Sequence, residues 1–211
     1  MVNDMHNIVK IEHPVLEHSL TILRDKNTNT EEFRRHTAVV SQIMIMEATR
    51  NLPVRKRTIE TPLSLVDGFE ISSEIVLVPV LRAGISMLLA AKELLSWAPV
   101  GFIGLERDEQ TAKAREYYQK FPAELNAKHI LVLDPMLATG GSLVDTIKAL
   151  GKKGGGKISA VCIVAAPEGI DMVNARCPDV QIFTAAIDYK LDESKFIVPG
   201  LGDFGDRYFG T

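Results

Sequence analysis

The chain has 211 residues, 46% of them hydrophobic and 24% charged, which suits a single globular domain over residues 1–211 with one sizeable core. The formal net charge of −3 argues against a nucleic-acid partner, and a small anionic ligand would need a local cluster of cations and backbone amides. The two cysteines, Cys162 in an apolar run and Cys177 before Pro178, form no CxxC or Cys/His cluster. Zinc and a disulfide framework are thereby excluded, and a reduced, cytoplasmic setting is expected. Met1 to Ile11 carries no signal-like apolar stretch and no segment approaches a membrane span, so no membrane association is expected.

Along the chain, Pro14 can open a helix running toward Asp25, since proline suits the first helical turn. Thr28 with Glu31, or Asn29 with Glu32, offers a capping box for a second helix. In that helix Phe33, Thr37, Val40 and Met44 share a face, and the Met44, Met46 pair is core or subunit interface. Val54 to Leu63 reads as a strand bounded by prolines, with a turn at Asp67-Gly68 before the next one. From Ile75 the pattern changes. Ile75 to Val78 is short and wholly apolar, as in a strand buried on both faces; a loop at Leu81 to Gly84 and a helix from Ser86 to Leu95 follow. Val100 to Leu105, His129 to Leu133, Ile158 to Ala166 and Val180 to Ile187 are further strands, with helices near Leu143 to Leu150 and Ile170 to Arg176. This alternation predicts an α/β fold with a mostly parallel five-stranded sheet flanked by helices. Such sheets bind ligands beyond the carboxyl ends of their strands, which directs attention to the loops after Val78, Leu133 and Ile187. The five histidines form no catalytic set and read as solvated or structural.

The segment His129-Ile-Leu-Val-Leu-Asp134-Pro135-Met136-Leu137-Ala138-Thr139-Gly140-Gly141-Ser142 carries the most chemistry. An apolar strand ends in a carboxylate, and a loop with Thr-Gly-Gly-Ser enters a helix. Glycines let successive N–H groups point into one concavity, hydroxyls add donors, and the helix adds its positive end. Together these would hold a terminal phosphate, and Asp134 could accept hydrogen bonds from a sugar's hydroxyls. The plainer reading is a strand-to-helix turn capped by Ser142. Gly140 is the position where a side chain is expected to block the phosphate while the fold persists.

Two other glycine-rich runs mislead. Gly151 to Ile158 nearly spells a Walker A loop, but Ile158 stands where a hydroxyl must hold magnesium, and the run lies between a helix and a strand in the reverse of the required order. It reads as a glycine C-cap and a lysine-rich turn. Gly200-Leu-Gly202-Asp-Phe-Gly205 formally matches G-x-G-x-x-G, but it lies too near the C-terminus for a crossover helix and second strand to follow. Its glycines mark a tight bend or a close approach.

The Asp134–Ser142 segment resembles the phosphoribosyl pyrophosphate motif of type I phosphoribosyltransferases, with Pro135 at the second acidic position as in the uracil-specific branch. Val78-Pro-Val-Leu-Arg82-Ala-Gly84 is similar to the pyrophosphate loop, and Arg107-Asp-Glu-Gln-Thr111 to the mobile loop with a second arginine. Ala165-Ala-Pro-Glu-Gly169 and Ile197-Val-Pro-Gly-Leu-Gly202-Asp203-Phe204-Gly205-Asp206 resemble segments of the uracil branch, the latter its base-binding segment. Gln110 and the run Ala112 to Arg115 depart from the family pattern.

The resemblance implies a type I phosphoribosyltransferase fold with a small C-terminal hood, and a hairpin near residues 54–78 that covers the site or projects from it. It implies transfer of a phosphoribosyl group from phosphoribosyl pyrophosphate to uracil, in pyrimidine salvage. Arg82, Arg107 and Asp203, with Asp134 through Ser142, would bind phosphoribosyl pyrophosphate. Arg107 and Asp203 would be catalytic, the one clamping the leaving group and the other acting through Mg2+ held mainly by substrate. Ile197, Gly202, Asp203 and Phe204 would bind uracil. Taken alone, Arg82 and Arg107 are ordinary surface arginines and Asp203 a turn residue; Asp206 is expected to be structural. The family implies a homodimer or homotetramer and admits GTP as an activator; the sequence decides neither. A transferase for another base, or an RNA-binding regulator on the same fold, are the competing readings.

Overall fold

The computed structural model describes residues 7–107 and 114–211. After the short strand β1 (Ile8–Lys10), helix α1 (Pro14–Arg24) starts with Pro14 in its first turn, and His13 caps it by accepting from the Val15 N–H at 3.1 Å. Helix α2 (Thr30–Ala48) is capped by Asn29, which accepts from the Glu32 N–H at 3.0 Å. Only that half of the expected box forms, because the Glu32 carboxylate turns to Arg35 at 2.7 Å. Phe33, Thr37, Val40 and Met44 are buried on one face of α2, whereas Met46 is exposed.

Strands β2 (Val54–Glu60) and β3 (Leu65–Ile71) form an antiparallel hairpin. Its turn lies at residues 61–64, not at Asp67-Gly68, which sit inside β3 opposite Thr58 and Arg57. Pro62 cannot donate to a ladder, and the Thr61 hydroxyl accepts from the Leu63 and Ser64 N–H groups at 3.2 and 3.0 Å, closing the chain there. Asp67 instead accepts across the ladder from the Thr58 hydroxyl at 2.9 Å. The hairpin stands outside the main sheet with every β2 residue exposed, so it projects.

The main sheet continues with β4 (Ile75–Leu81), helix α3 (Ile85–Leu94), β5 (Phe102–Arg107), β6 (Ala114–Lys120), β7 (His129–Leu133), β8 (Met136–Leu137), helix α4 (Gly141–Lys152), β9 (Lys157–Ala165), helix α5 (Pro167–Arg176) and β10 (Gln181–Ile187). Its order is β1-β10-β9-β7-β4-β5-β6, with β8 beside β9, eight strands in all. The five expected strands are its parallel centre; β1 extends it in parallel and β6 pairs antiparallel with β5. Ala114 and Arg115 thus begin an edge strand where the sequence suggested loop. Tyr117-Tyr118 was the only β-forming signal in a charged run, and edge strands tolerate charge.

Successive residues of β7 feed opposite cores. Leu131 and Leu133 pack with α1, α2 and α3, whereas Ile130 and Val132 pack with α4 and α5. Leu131→Ala should therefore lower unfolding stability by about 2–5 kcal/mol in a urea titration. The chain ends in a small hood: strands β11 (Lys190–Leu191) and β12 (Ile197–Val198), antiparallel, and helix α6 (Phe204–Phe209). Phe204 anchors the hood edge-on to Phe33 at 5.2 Å.

Candidate active site

The parallel strands reverse direction of progression at the β4/β7 boundary: β5 lies on one side of β4, and β7, β9 and β10 follow on the other. A crevice opens at such a switch point, beyond the carboxyl ends of the strands. The loop bearing Arg82 leaves β4 there and the loop starting at Asp134 leaves β7. Gly84 brings the two together, since a Cβ on it would stand 2.3 Å from the Leu133 carbonyl oxygen. No larger residue fits this contact, which explains the glycine beside the arginine. Arg82 itself is exposed at the crevice.

The loop after Asp134 is stitched down before it opens. The Pro135 carbonyl accepts from the Ile163 and Val164 N–H groups at 2.9 and 3.1 Å, and Met136-Leu137 pair with Val164-Ala165. Pro135 and Leu137 are buried, with the Pro135 carbonyl taken up by β9 and the Leu137 carbonyl by the Ala166 N–H at 2.9 Å, so neither carbonyl is left for a ligand. Beyond them the chain lines a depression of about 90 Å³ bounded by Asp134, Ala138, Thr139, Gly140, Gly141 and Ser142. Helix α4 begins on this depression with Gly140 as its N-cap and no side-chain cap. Ser142 lies inside the first turn rather than capping it, so the first-turn N–H groups have no intrahelical partner. An uncapped helix start facing a polar hollow is suited to hold an anion.

The glycines divide their work differently from the expectation. Gly140 has φ +80°, and a Cβ on it would meet the Gly169 carbonyl at 2.8 Å and Met172 Cβ at 3.1 Å. A side chain at 140 would distort the loop against α5, so the fold would not pass unharmed. Gly169 reciprocates: its Cβ would meet the Ala138 and Leu137 carbonyls at 2.4 and 2.9 Å. The Ala165–Gly169 segment is thus the close-packed backing of the anion loop. A Cβ on Gly141, by contrast, would meet only Thr139 Oγ1 at 3.8 Å, in the depression itself.

Asp134 accepts from the Met136 N–H at 3.3 Å. Burial outweighs that bond and pushes its carboxyl up to about 6. Such an acid destabilises the fold as pH rises: the cost of its buried charge is absent below the ordinary carboxylate value and complete above 6. A sugar hydroxyl donating to this carboxyl would be held best by the ionised form, so affinity for a ribose 5-phosphate ligand should fall by up to about tenfold per pH unit below 6. Phosphate titrates nearby. The check is the difference between the binding profiles of the native protein and Asp134→Asn from pH 5 to 7, in which the carboxylate contribution alone remains.

Arg107 ends β5, next to β4, and its Cα partner is Ala114; its side chain and residues 108–113, including Gln110 and Ala112, lie outside the described residues. Asp203 is exposed and caps α6, accepting from the Asp206 N–H at 2.9 Å. The Asp206 carboxylate accepts from the Thr211 hydroxyl at 3.2 Å. The Ile197 and Phe204 side chains are buried, at 5% and 2% exposure, within the core. Only their main chain can face a base, as it can at exposed Gly202, φ +80°. The Gly151–Lys157 run is the expected turn: α4 ends at Lys152, Gly154 has φ +77°, and the Gly155 N–H returns to the Leu150 carbonyl at 2.9 Å.

The structure adds Arg24 and Asp188, which sequence reasoning missed as a pair. Asp188, directly after β10, accepts from Arg24 at 2.6 and 2.9 Å. The sequence pointed to the loop after Ile187, but nothing local links a residue there with one in the last turn of α1.

The sheet order, the switch point and the uncapped anion loop leading into α4 are those of a type I phosphoribosyltransferase fold. A solved adenine phosphoribosyl transferase from Trypanosoma brucei shares it, with a TM-score of 0.57 at 12% identity over 86% of this chain and 83% of that one. The chain belongs to the uracil phosphoribosyltransferase family, whose profile matches residues 9–211, and is thus a pentosyltransferase. It is 45% identical to uracil phosphoribosyltransferase of Oceanobacillus iheyensis over 98% of this chain and 100% of that one. To that of a Geobacillus species it is 47% identical at the same coverage. A solved protein structure from Aquifex aeolicus superposes with a TM-score of 0.91 at 33% identity, over 97% of this chain and 98% of that one.

Proposed function

We propose that this chain, acting as a single domain, transfers the phosphoribosyl group of phosphoribosyl pyrophosphate to uracil, forming UMP and diphosphate in pyrimidine salvage. The observation that carries this is the uncapped start of α4 on its polar depression beside Asp134, at the switch point of the sheet. The bond from the anomeric carbon to pyrophosphate breaks and a bond to a uracil nitrogen forms. Positive charge develops on the sugar ring and negative charge on the leaving group, so catalysis is mainly positioning and electrostatics. In this reading the main chain from Ala138 to Ser142 holds the 5′-phosphate and Asp134 the ribose hydroxyls. Arg82 grips the pyrophosphate with two donors at once, and the main chain of Ile197, Gly202 and Phe204 reads the base. The test is incubation with magnesium, phosphoribosyl pyrophosphate and each base in turn. UMP from uracil alone is expected; no nucleotide, or another base preferred, overturns the proposal.

Magnesium fits this donor set. Among the described residues no three His, Cys, Asp or Glu side chains gather into a cage, while exposed Asp203 offers a single carboxylate. That suits an ion carried mainly by substrate oxygens. When bound, the ion would neutralise charge on the pyrophosphate. Asp203→Asn should reduce magnesium-dependent turnover strongly, whereas Asp134→Asn should weaken ribose binding with little change in metal dependence; identical magnesium titrations for both variants would refute this division. Arg107, placed at the end of β5, acts on the departing charge. Arg107→Ala should lower kcat more than it raises KM for phosphoribosyl pyrophosphate, and a pure KM effect would mean uniform binding instead.

Assembly as a homodimer or homotetramer is supported by the β2–β3 hairpin, which leaves Leu63, Leu65 and Phe69 at 95, 71 and 69% exposure. A lone hairpin with such a surface is marginal in water. Sedimentation of the native chain and of Leu65→Asp with Phe69→Asp tests this. Adding GTP to the activity assay tests nucleotide activation.

A further inference from the structure

We infer that the Arg24–Asp188 pair, its carboxylate buried and its guanidinium side chain 25% exposed, is a positioning device that sets the main-chain geometry of the base-reading segment, and so controls affinity for uracil and its selection over cytosine. This rests on the reading that Ile197 to Phe204 faces the base. Asp188 is only 6% exposed, and its own N–H donates to the Ala165 carbonyl at 2.8 Å, anchoring it to the end of β9. Arg24 donates to both carboxylate oxygens, at 2.6 and 2.9 Å. The same two side chains hold both polar groups of Gly200. The Gly200 N–H donates to Asp188 at 2.8 Å, and the Gly200 carbonyl accepts from Arg24 at 2.7 Å.

Gly200 is where the segment turns. Its φ is +58°, and a Cβ on it would stand 2.1 Å from the Ile197 carbonyl oxygen. The turn therefore fixes the Ile197 main chain on one side. On the other, Arg207 holds the Leu201 carbonyl at 2.7 Å and the Asp25 carbonyl at 2.6 Å, and lies 4.4 Å from the Phe33 ring centroid. The segment is thus pinned from the end of α1 immediately before Gly202, which is exposed. A surface salt bridge would have little effect on such geometry. This one is bidentate, has its carboxylate buried and is shared with the backbone it orients, so removing Arg24 strands a buried charge.

The test uses the full chain with three variants: Asp188→Asn, Arg24→Lys, and the charge-free double variant Arg24→Met with Asp188→Leu. Removing both charges spares the fold the cost of a stranded one, so the double variant stays informative if the single ones unfold. Binding of phosphoribosyl pyrophosphate is measured directly by titration, and kcat and KM are measured for uracil and for cytosine. The expected result is a KM for uracil raised about tenfold or more, equivalent to about one lost hydrogen bond. The uracil-to-cytosine ratio should fall, while affinity for phosphoribosyl pyrophosphate stays within about twofold of native. A folded double variant with native KM and native selectivity overturns the inference. So does an equal loss for both substrates, which would mean a merely structural pair. If the native chain itself uses cytosine as readily as uracil, the underlying base-reading assignment fails; a selective native chain with unaltered variants fails the positioning inference alone.

Discussion

Replacing Gly141 by valine should reduce affinity for phosphoribosyl pyrophosphate by about 100-fold or more without lowering the melting temperature. A Cβ at 141 has open space around it and meets only the Thr139 hydroxyl, at 3.8 Å. The isopropyl group would thus occupy the depression that the loop and the first turn of α4 enclose. Hydrogen bonds from backbone amides to an ionised phosphate contribute about 1.5–3 kcal/mol each, so displacing one or two gives the stated loss. Valine suffers no left-handed backbone there, because Gly141 is already helical. Gly140→Val is the contrasting control: at φ +80° and against the Gly169 carbonyl it should also destabilise, by about 1–3 kcal/mol. Calorimetric titration and thermal melts of both variants separate occlusion from strain. Native affinity in Gly141→Val would sink the phosphate assignment.

Uracil should be used at least about 10⁴-fold more efficiently than cytosine, because the segment proposed to read it offers main chain rather than side chains. The Ile197 and Phe204 side chains are committed to the core, and Phe204 packs between Phe33 and Tyr208 at 5.2 and 6.0 Å. The Phe204 N–H lies in the first turn of α6, where helix geometry supplies no partner. In the proposed pose it donates to uracil O4, the Gly202 carbonyl accepts from N3–H, and the Ile197 main chain faces O2. Cytosine presents an acceptor at N3 to a carbonyl and an amine at C4 to an N–H. Two mismatched buried groups cost about 1–3 kcal/mol each for desolvation alone, and repulsion adds to that. 5-Fluorouracil keeps the N3 and O4 pattern and should be accepted where C5 has room. Comparable kcat/KM for cytosine and uracil, or a preference reversed by one side-chain change in the segment, would contradict main-chain reading.

Much of this protein is written locally. The parallel strands at the centre of the sheet are short, apolar and bounded by turns, so burial on both faces is visible without any partner strand. The anion loop is legible because its chemistry is contiguous: strand, carboxylate, glycines and helix start lie within Asp134 to Ser142. Resemblance to a family then extended that reading to the Arg82 loop and the C-terminal segment. Local signals failed where the decision depends on neighbours. Asp67-Gly68 is a turn dipeptide by composition, yet it is paired in β3 because Pro62 and the Thr61 hydroxyl close the hairpin earlier.

The tertiary structure decided what each glycine excludes and which charges meet. Gly140, Gly169 and Gly84 are required by carbonyls contributed from other segments, and a chain read in one dimension does not show what a Cβ would strike. Arg24 and Asp188 are 164 residues apart and become one ion pair only because the end of α1 packs against the end of β10. Propensity, periodicity and contiguous motifs act over a few residues and were determined by sequence alone. The pinning of Gly200 is a long-range pairing of charge, and the folded core alone sets it.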